Sequence, residues 1–265
     1  MKLIQLICIG LSAWCLSSCA TMIEPSHTIR STGMKLSQDT TWQIQYSGEI
    51  NPDIKIEMFN LDLFDIPPEK INKMHQNEIF VMCYFSAGSY EDWRPDSSQF
   101  PKIVLGKGLG DWPDELWLDI RRLDLLGPIL EKRLDMAVVK GCDGVDPDNI
   151  DGYQNDTGFN LTPGDQLVFN KFLSQSAHDR GLLIGLKNDL DQAAELVSYF
   201  DWIITEECFF YNECDLLTPF LDNGKPVFLI EYELTPAEFC PSAKQMGINA
   251  LQKNLELDAF RFECQ

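Results

Sequence analysis

The sequence predicts an α/β protein with the architecture of a single-domain (β/α)₈ (TIM) barrel, preceded by a leader and a short tether. Three observations carry that expectation. Eight short runs of β-branched, aromatic and aliphatic residues recur along the chain. Helical patterns with clear start and stop signals separate the later runs. The part behind the leader, about 246 residues, suits such barrels, which are typically about 250 residues long.

The runs are TWQIQY (41–46), IKIEMFNLDLF (54–64), EIFVMCYFS (78–86), ELWLDIR (115–121), GCDGVDPD (141–148), GLLIGLKN (181–188), DWIITEE (201–207) and KPVFLIEY (225–232). Thr162-Pro163-Gly164-Asp165 supplies an N-cap, a proline at the first helical position and an acid at the third. That helix is expected to run to Arg180, stop at Gly181 and bury Val168, Phe172 and Leu173. Thr235-Pro236-Ala237-Glu238 repeats the arrangement. Pro128 can start a third helix with Leu130, Leu134 and Ala137 on one face. A doubly wound open sheet is the alternative architecture. Its glycine-rich turn would have to be Gly106-Lys107-Gly108-Leu109-Gly110, which is followed by Asp111-Trp112-Pro113 rather than a helix and is therefore read as a loop.

The front of the chain sets the compartment. Lys2, the apolar stretch LIQLICIGLSAWCL and the small residues after it make a secretory signal over residues 1–18, too short for a comfortable transmembrane helix. Leu16-Ser17-Ser18-Cys19 resembles a bacterial lipobox, which implies cleavage before Cys19 and lipid attachment there. Ordinary signal cleavage near Ala20 is the alternative. With alanine rather than aspartate after the cysteine, the outer membrane or cell surface is expected before the inner membrane. Residues 19–40 are polar and aperiodic and read as the tether, leaving 41–265 as the barrel domain. With Cys8, Cys15 and Cys19 assigned to the signal and its cleavage site, six cysteines remain, an even number in an exported chain, which points to disulfides. Cys208 with Cys214 and Cys240 with Cys264 are the expected pairs; Cys83 and Cys142 are expected to be free buried thiols. With no CxxC and three scattered histidines, zinc is not expected.

The chain carries 21 Lys+Arg against 41 Asp+Glu, a net charge of −20. Nucleic acid and anionic membrane surfaces are poor partners for such a protein, and a cationic ligand would be drawn to it. Acidity also serves solubility alone. Membrane contact is expected only through the lipid anchor, and the protein is expected to be a monomer.

Barrels of this class place their chemistry at the C-terminal ends of the strands. Here the ends are polar: Tyr84 and Ser86, then Glu91, Trp93 and Arg94; Asp119 and Arg121; Asp146, Asp148, Asn149 and Asp151; Lys187 and Asn188; Glu206 and Glu207; Glu231 and Tyr232. Some have plain structural readings, such as an Asp119–Arg121 ion pair or a turn at Asp143-Gly144. Histidines are too few for a Ser/His/Asp arrangement. Two carboxylates flanking a glycosidic bond are what most glycosidases need, one protonated and one ionised. Trp42, Tyr84, Trp93 and Tyr232 could stack on sugar faces. The aspartates could instead hold a divalent metal, but DPDNIDG lacks the full calcium-loop pattern and Lys187 would oppose a cation. Neither a metal nor a cofactor is expected.

CYFSAGSYEDWRPD, ELWLDIR, GCDGVDPDNIDGY, GLKN, TEECFFYNEC and the late EY together resemble glycoside hydrolase family 114, over about residues 41–265. The resemblance implies a (β/α)₈ endo-α-1,4-polygalactosaminidase that cuts galactosamine-containing polysaccharide within the chain; a partly deacetylated, cationic polymer would suit the acidic protein. By the same resemblance Asp148 is one catalytic carboxylate, as nucleophile, and Glu206 or Glu207 is its acid/base partner, with Glu206 favoured. Strand alternation is expected to send only one of those two glutamates into the pocket. Tyr84, Asp119, Asn149, Asp151, Lys187, Asn188, Glu231 and Tyr232 are the expected sugar contacts. A non-catalytic lipoprotein that binds a glycan or another protein on the same barrel is the alternative function.

Overall fold

The structure, a computed structural model, describes residues 36–110 and 112–264. The signal segment 1–18, Cys19 and most of the tether lie outside the described residues. Leu36 is already buried in the core, and the Gln38 amide donates to the Leu221 carbonyl (3.1 Å), so packing begins at the far end of the 19–40 segment. No helix among the described residues is long and apolar enough to cross a membrane.

Eight parallel strands form one curled sheet: β1 (Trp42–Gln45), β2 (Met58–Asp62), β3 (Phe80–Ser86), β7 (Gly144–Asp148), β8 (Leu183–Lys187), β9 (Trp202–Glu206), β10 (Val227–Glu231) and β11 (Asn249–Gln252). β12 (Phe262–Glu263) adds antiparallel to β11. Helices α1 (Pro68–Gln76), α2 (Leu123–Lys140), α3 (Pro163–His178), α4 (Ala193–Leu196), α5 (Thr218–Asp222) and α6 (Pro236–Met246) each return the chain to the next parallel strand. This is the predicted (β/α)₈ arrangement. At its seam, the Trp42 indole donates to the Asn249 carbonyl (3.1 Å), and buried Lys253 reaches Gln43 (3.1 Å) and the carbonyls of Asp258 and Phe260.

Several expectations are corrected. Run 115–121 is not a barrel strand. It belongs to β6 (Trp112–Leu118), the middle of an antiparallel three-stranded sheet with β4 (Ser89–Glu91) and β5 (Leu105–Leu109), inserted between β3 and α2. The eighth barrel strand is β11, four residues long with half-buried ends, too short to stand out as an apolar run. The 106–110 glycine stretch is mostly strand: a β-carbon on Gly106 would lie 2.2 Å from the Thr157 carbonyl oxygen, so glycine lets β5 pack against that loop. Helix α2 begins at Leu123, with Pro128 inside it. Helix α3 has the full capping box at Thr162 and Asp165, but it buries Phe169, Leu173 and Ala177 while Val168 is exposed.

All six described cysteines are bonded: Cys208–Cys214, Cys240–Cys264 and Cys83–Cys142. Cys83 and Cys142 are therefore not free thiols. Because the inserted sheet leaves the barrel, β3 and β7 are direct neighbours, and the residues before β7 run beside Cys83.

Strand alternation sorts the side chains into two cores. Phe59, Leu61, Val81, Phe85, Val145, Ile184, Ile203 and Leu229 pack outward beneath the helices. Trp42, Met58, Phe80, Trp202 and Phe228 fill the bottom of the barrel, with Ile44, Met82, Ile204, Ile230 and Leu251 above them. Trp202 fits because β7 and β8 offer glycines: a β-carbon on Gly185 would lie 2.1 Å from its Nε1, and one on Gly144 would lie 2.7 Å from its ring. At the level of Ile204 the interior turns polar. Asp146 is fully buried and accepts from the Asn60 amide at 2.7 Å, and burial pushes its pKa up to about 6.

Two outcomes are expected. Gly185→Ala should overpack the barrel and destabilise it by about 1–3 kcal/mol, read as a lower denaturation midpoint; an unchanged midpoint would show that Trp202 can yield. Burial also raises Glu231 to about 7 and Asp189 to about 8. A carboxyl raised in the folded state contributes stability that is full below its unfolded pKa, about 4, and is lost as pH rises through the folded value. His178, raised by its hydrogen bond to Asp201, acts in the same direction. Buried Lys253, lowered to about 8, opposes it only at the upper end. The melting temperature should therefore fall between pH 5 and pH 8, and a rise across that window would contradict these burials.

Candidate active site

The cleft opens at the C-terminal ends of the strands and encloses about 640 Å³. Period-2 alternation builds it. The interior positions that are apolar at the bottom of each strand end in Tyr46, Asp62, Tyr84, Asp148, Lys187, Glu206 and Tyr232, all of which line the cleft. Just past three successive strands the backbone enters the left-handed region, at Asn149 (φ 60°), Asn188 (φ 50°) and Glu207 (φ 59°). Asparagine tolerates this conformation; glutamate adopts it at a cost of about 1–2 kcal/mol. Each position is pinned. The Asn149 amide donates to Asp148 Oδ1 (2.8 Å), the Asn188 side-chain oxygen accepts from the Glu206 amide (3.1 Å), and the Glu207 amide donates to the Ile230 carbonyl (2.7 Å).

Lys187 holds the centre. Its ammonium lies 3.2 Å from Asp148 Oδ1 and 3.1 Å from Glu206 Oε2, with its side chain 3% exposed. Burial alone would pull its pKa down, but Asp148, Glu206 and Asp146 outweigh that and hold it charged, above the ordinary lysine value. On the far side of Glu206, the Tyr232 hydroxyl donates to Oε1 at 2.5 Å. Burial and the Glu206 charge raise the Tyr232 pKa, so the hydroxyl keeps its proton. The two carboxylate oxygens on Lys187 can stand no farther apart than its two contacts laid end to end. The span of about 5–5.5 Å of retaining pairs falls within that reach.

Tyr84, Asn149, Asp151, Lys187, Asn188, Tyr232 and the carboxylates Asp148, Glu206 and Glu207 are brought together around this cleft. Tyr84 packs on Tyr46 with ring centroids 4.3 Å apart. Burial and the nearby Asp148 charge push the Asp151 pKa up to about 6. Glu206 and Glu207 both line the cleft, against the expectation from alternation, because the left-handed residue ends the strand at Glu206. Two expected sugar contacts stand elsewhere. Asp119 follows β6 and pairs with Arg121 (2.7 Å). Glu231 points between β10 and the loop after β9, where it accepts the Phe209 amide (2.9 Å). Trp42 lies buried at the opposite end of the barrel, away from any sugar.

Four carboxylates outside the expected catalytic residues and sugar contacts also line the cleft: Asp62, Glu91, Glu115 and Glu256. Arg94 forks onto Asp62 (3.0 and 2.7 Å) and reaches Glu91 (2.7 Å). Glu115 comes from the inserted sheet, whose Trp112 and Trp117 line the same wall, while Trp93 stands about half exposed on the rim. Alternation of Glu115 with Trp117 along ELWL was the available signal, but it needed the strand's true neighbours to be interpreted. Among the described residues no three His, Cys, Asp or Glu side chains converge as metal ligands.

Against solved structures, the chain is similar to Aspergillus fumigatus Ega3, crystallised in complex with galactosamine: 39% identity over 87% of this chain and 97% of that one, with a TM-score of 0.83. The glycoside hydrolase domain of PelA from Pseudomonas aeruginosa shares the fold at 13% identity, over 84% and 97% of the two chains, with a TM-score of 0.65. No curated protein matches the chain in sequence. The model of glycoside-hydrolase family GH114 matches residues 24–265, the whole of the barrel with its carboxylate-lined mouth, and the chain belongs to that family.

Proposed function

We propose that this glycosidase cleaves α-1,4-linked galactosamine polymers within the chain, with Asp148 as nucleophile and Glu206 as acid/base. The observation that carries the reading is the Lys187 ammonium set between those two carboxylates at the floor of an open cleft. Galactosamine in the complex of the 39% identical Ega3 supports the sugar, and the acidic cleft supports a polymer whose amines are free. An open cleft admits a polymer from the side, which suits internal cleavage.

Glu206 stands as a carboxylate between Lys187 and Tyr232, so the first step begins when it takes up a proton from solvent; it gives that proton to the glycosidic oxygen while Asp148 attacks the anomeric carbon. The leaving sugar departs with that proton, and a glycosyl ester forms on Asp148. In the second step Glu206 takes a proton from a water molecule, which attacks the same carbon and releases Asp148. Lys187 fixes the spacing of the pair and offsets charge on both oxygens. Tyr232 orients Glu206. Glu207, which contacts neither Lys187 nor Tyr232 among the described residues, is the less suited of the two glutamates. Three disulfides support an exported protein, and the lipobox-like sequence at Cys19, followed by alanine, supports a lipid anchor at the outer membrane or cell surface; we propose that it acts there as a monomer.

Reducing-end release from partly deacetylated α-1,4-galactosaminan tests this reading. Asp148→Asn and Glu206→Gln should each lose about a hundredfold or more of the activity in a protein that still folds, shown by a cooperative melting transition. Full activity in folded Asp148→Asn would remove it as nucleophile. Saturable binding with no new ends from the wild type would instead favour a glycan-binding protein. The first-formed product, followed by proton NMR, should carry the α-anomer; an initial β-anomer would mean inversion.

A further inference from the structure

The cleft has more carboxylates than the catalytic pair needs and, among the described residues, two cations, Arg94 and Lys187. Arg94 is committed to Asp62 and Glu91, and Lys187 to Asp148 and Glu206. Of the cleft carboxylates that have no cationic partner among the described residues, Asp151 and Glu207 are half-buried and Glu256 is exposed, whereas Glu115 is buried, 7% exposed. Its Oε2 accepts the Ser89 hydroxyl at 2.6 Å; no protein donor among the described residues reaches Oε1.

The side chain is held in place. Ser89 Oγ meets Ser86 Oγ at 2.6 Å, and the Asn149 amide nitrogen donates to both hydroxyls, at 2.8 and 3.2 Å. Asn149 in turn donates its backbone amide to Asp148. A continuous run of hydrogen bonds thus ties Glu115 to the nucleophile. Directly across the inserted sheet, Glu91 faces Glu115 in register, and only Glu91 has a guanidinium. A buried carboxylate left without a counter-charge is costly. The cost is met when a ligand brings the cation.

We infer that Glu115 is a specificity residue, which receives the free ammonium group of a bound amino sugar while Trp117 on the same strand packs beside the ring. The inference rests on the proposed substrate class. A single free oxygen beside a hydroxyl suits an ammonium, whereas a divalent cation such as calcium asks for 6–8 oxygen ligands. Burial, with help from Glu91 and Asp148, pushes the Glu115 pKa up to about 7, as befits a carboxyl still lacking its counter-ion.

The test is binding rather than turnover. In the Asp148→Asn background, calorimetry would compare an α-1,4-linked galactosamine oligomer with the same oligomer after chemical N-acetylation. The free-amine oligomer should bind at least about tenfold more tightly, as expected for a charged hydrogen bond. Adding Glu115→Gln, which keeps shape and hydrogen bonding but not charge, should erase that preference. A preference that survives in a folded Asp148→Asn/Glu115→Gln protein would overturn the inference. Without any change at Glu115, its ¹³C carboxyl resonance in Asp148→Asn should move with the free-amine oligomer and not with the acetylated one; no movement with either bound oligomer would also overturn it. If Asp148→Asn binds neither oligomer, the substrate class itself falls, a failure distinct from loss of the Glu115 preference.

Discussion

An ammonium buried between two carboxylates constrains everything around it. Lys187 cannot stay charged inside a barrel unless anions stand within contact, and Asp148 and Glu206 cannot approach one another without a cation between them. The three groups come from three adjacent strands, so the register of β7, β8 and β9 fixes their spacing. Below them Asp146 and Asn60 continue the polar layer, and below those the barrel is sealed by apolar side chains. The gradient from apolar floor to charged mouth follows from period 2 alone, since each strand that starts with an inward Trp, Met or Phe ends with an inward polar residue.

The strand ends show how the fold spends stability on the site. Left-handed residues after β7, β8 and β9 stop the ladder where Asp148, Lys187 and Glu206 are presented. Two are asparagines, whose side chains then brace Ser86 and the Glu206 amide. The third, Glu207, lacks that tolerance, and Glu231 steadies its loop from beneath through the Phe209 amide. The Cys208–Cys214 disulfide closes the same loop. Glu231 thus serves the site without touching it.

The inserted sheet gives a simple barrel its asymmetric wall. β4, β5 and β6 leave after β3 and rise over one side of the mouth, bringing Glu91, Glu115, Trp112 and Trp117 to the cleft. Arg133 anchors the base of this wall, donating to the Ser86 carbonyl (2.6 Å) and forking onto Asp96 (2.8 and 2.9 Å). A buried arginine is tolerable there because each of its three guanidinium nitrogens donates to an oxygen.

The sequence by itself determined the class of the fold, seven of the eight barrel strands, the capping of α3 and α6, and the collection of carboxylates, lysine and tyrosines at the strand ends. Those features are local: alternation, caps and turn residues are written in neighbouring positions. Tertiary structure alone decided that run 115–121 leaves the barrel and that 249–252 completes it. It also decided that Cys83 meets Cys142, and that Asp119 and Glu231 stand away from the cleft while Glu115 enters it. Each depends on which strands are neighbours, and strand neighbours are set by pairing across long stretches of chain. Periodicity tells which side of a strand a residue faces; only the packed sheet tells what lies there.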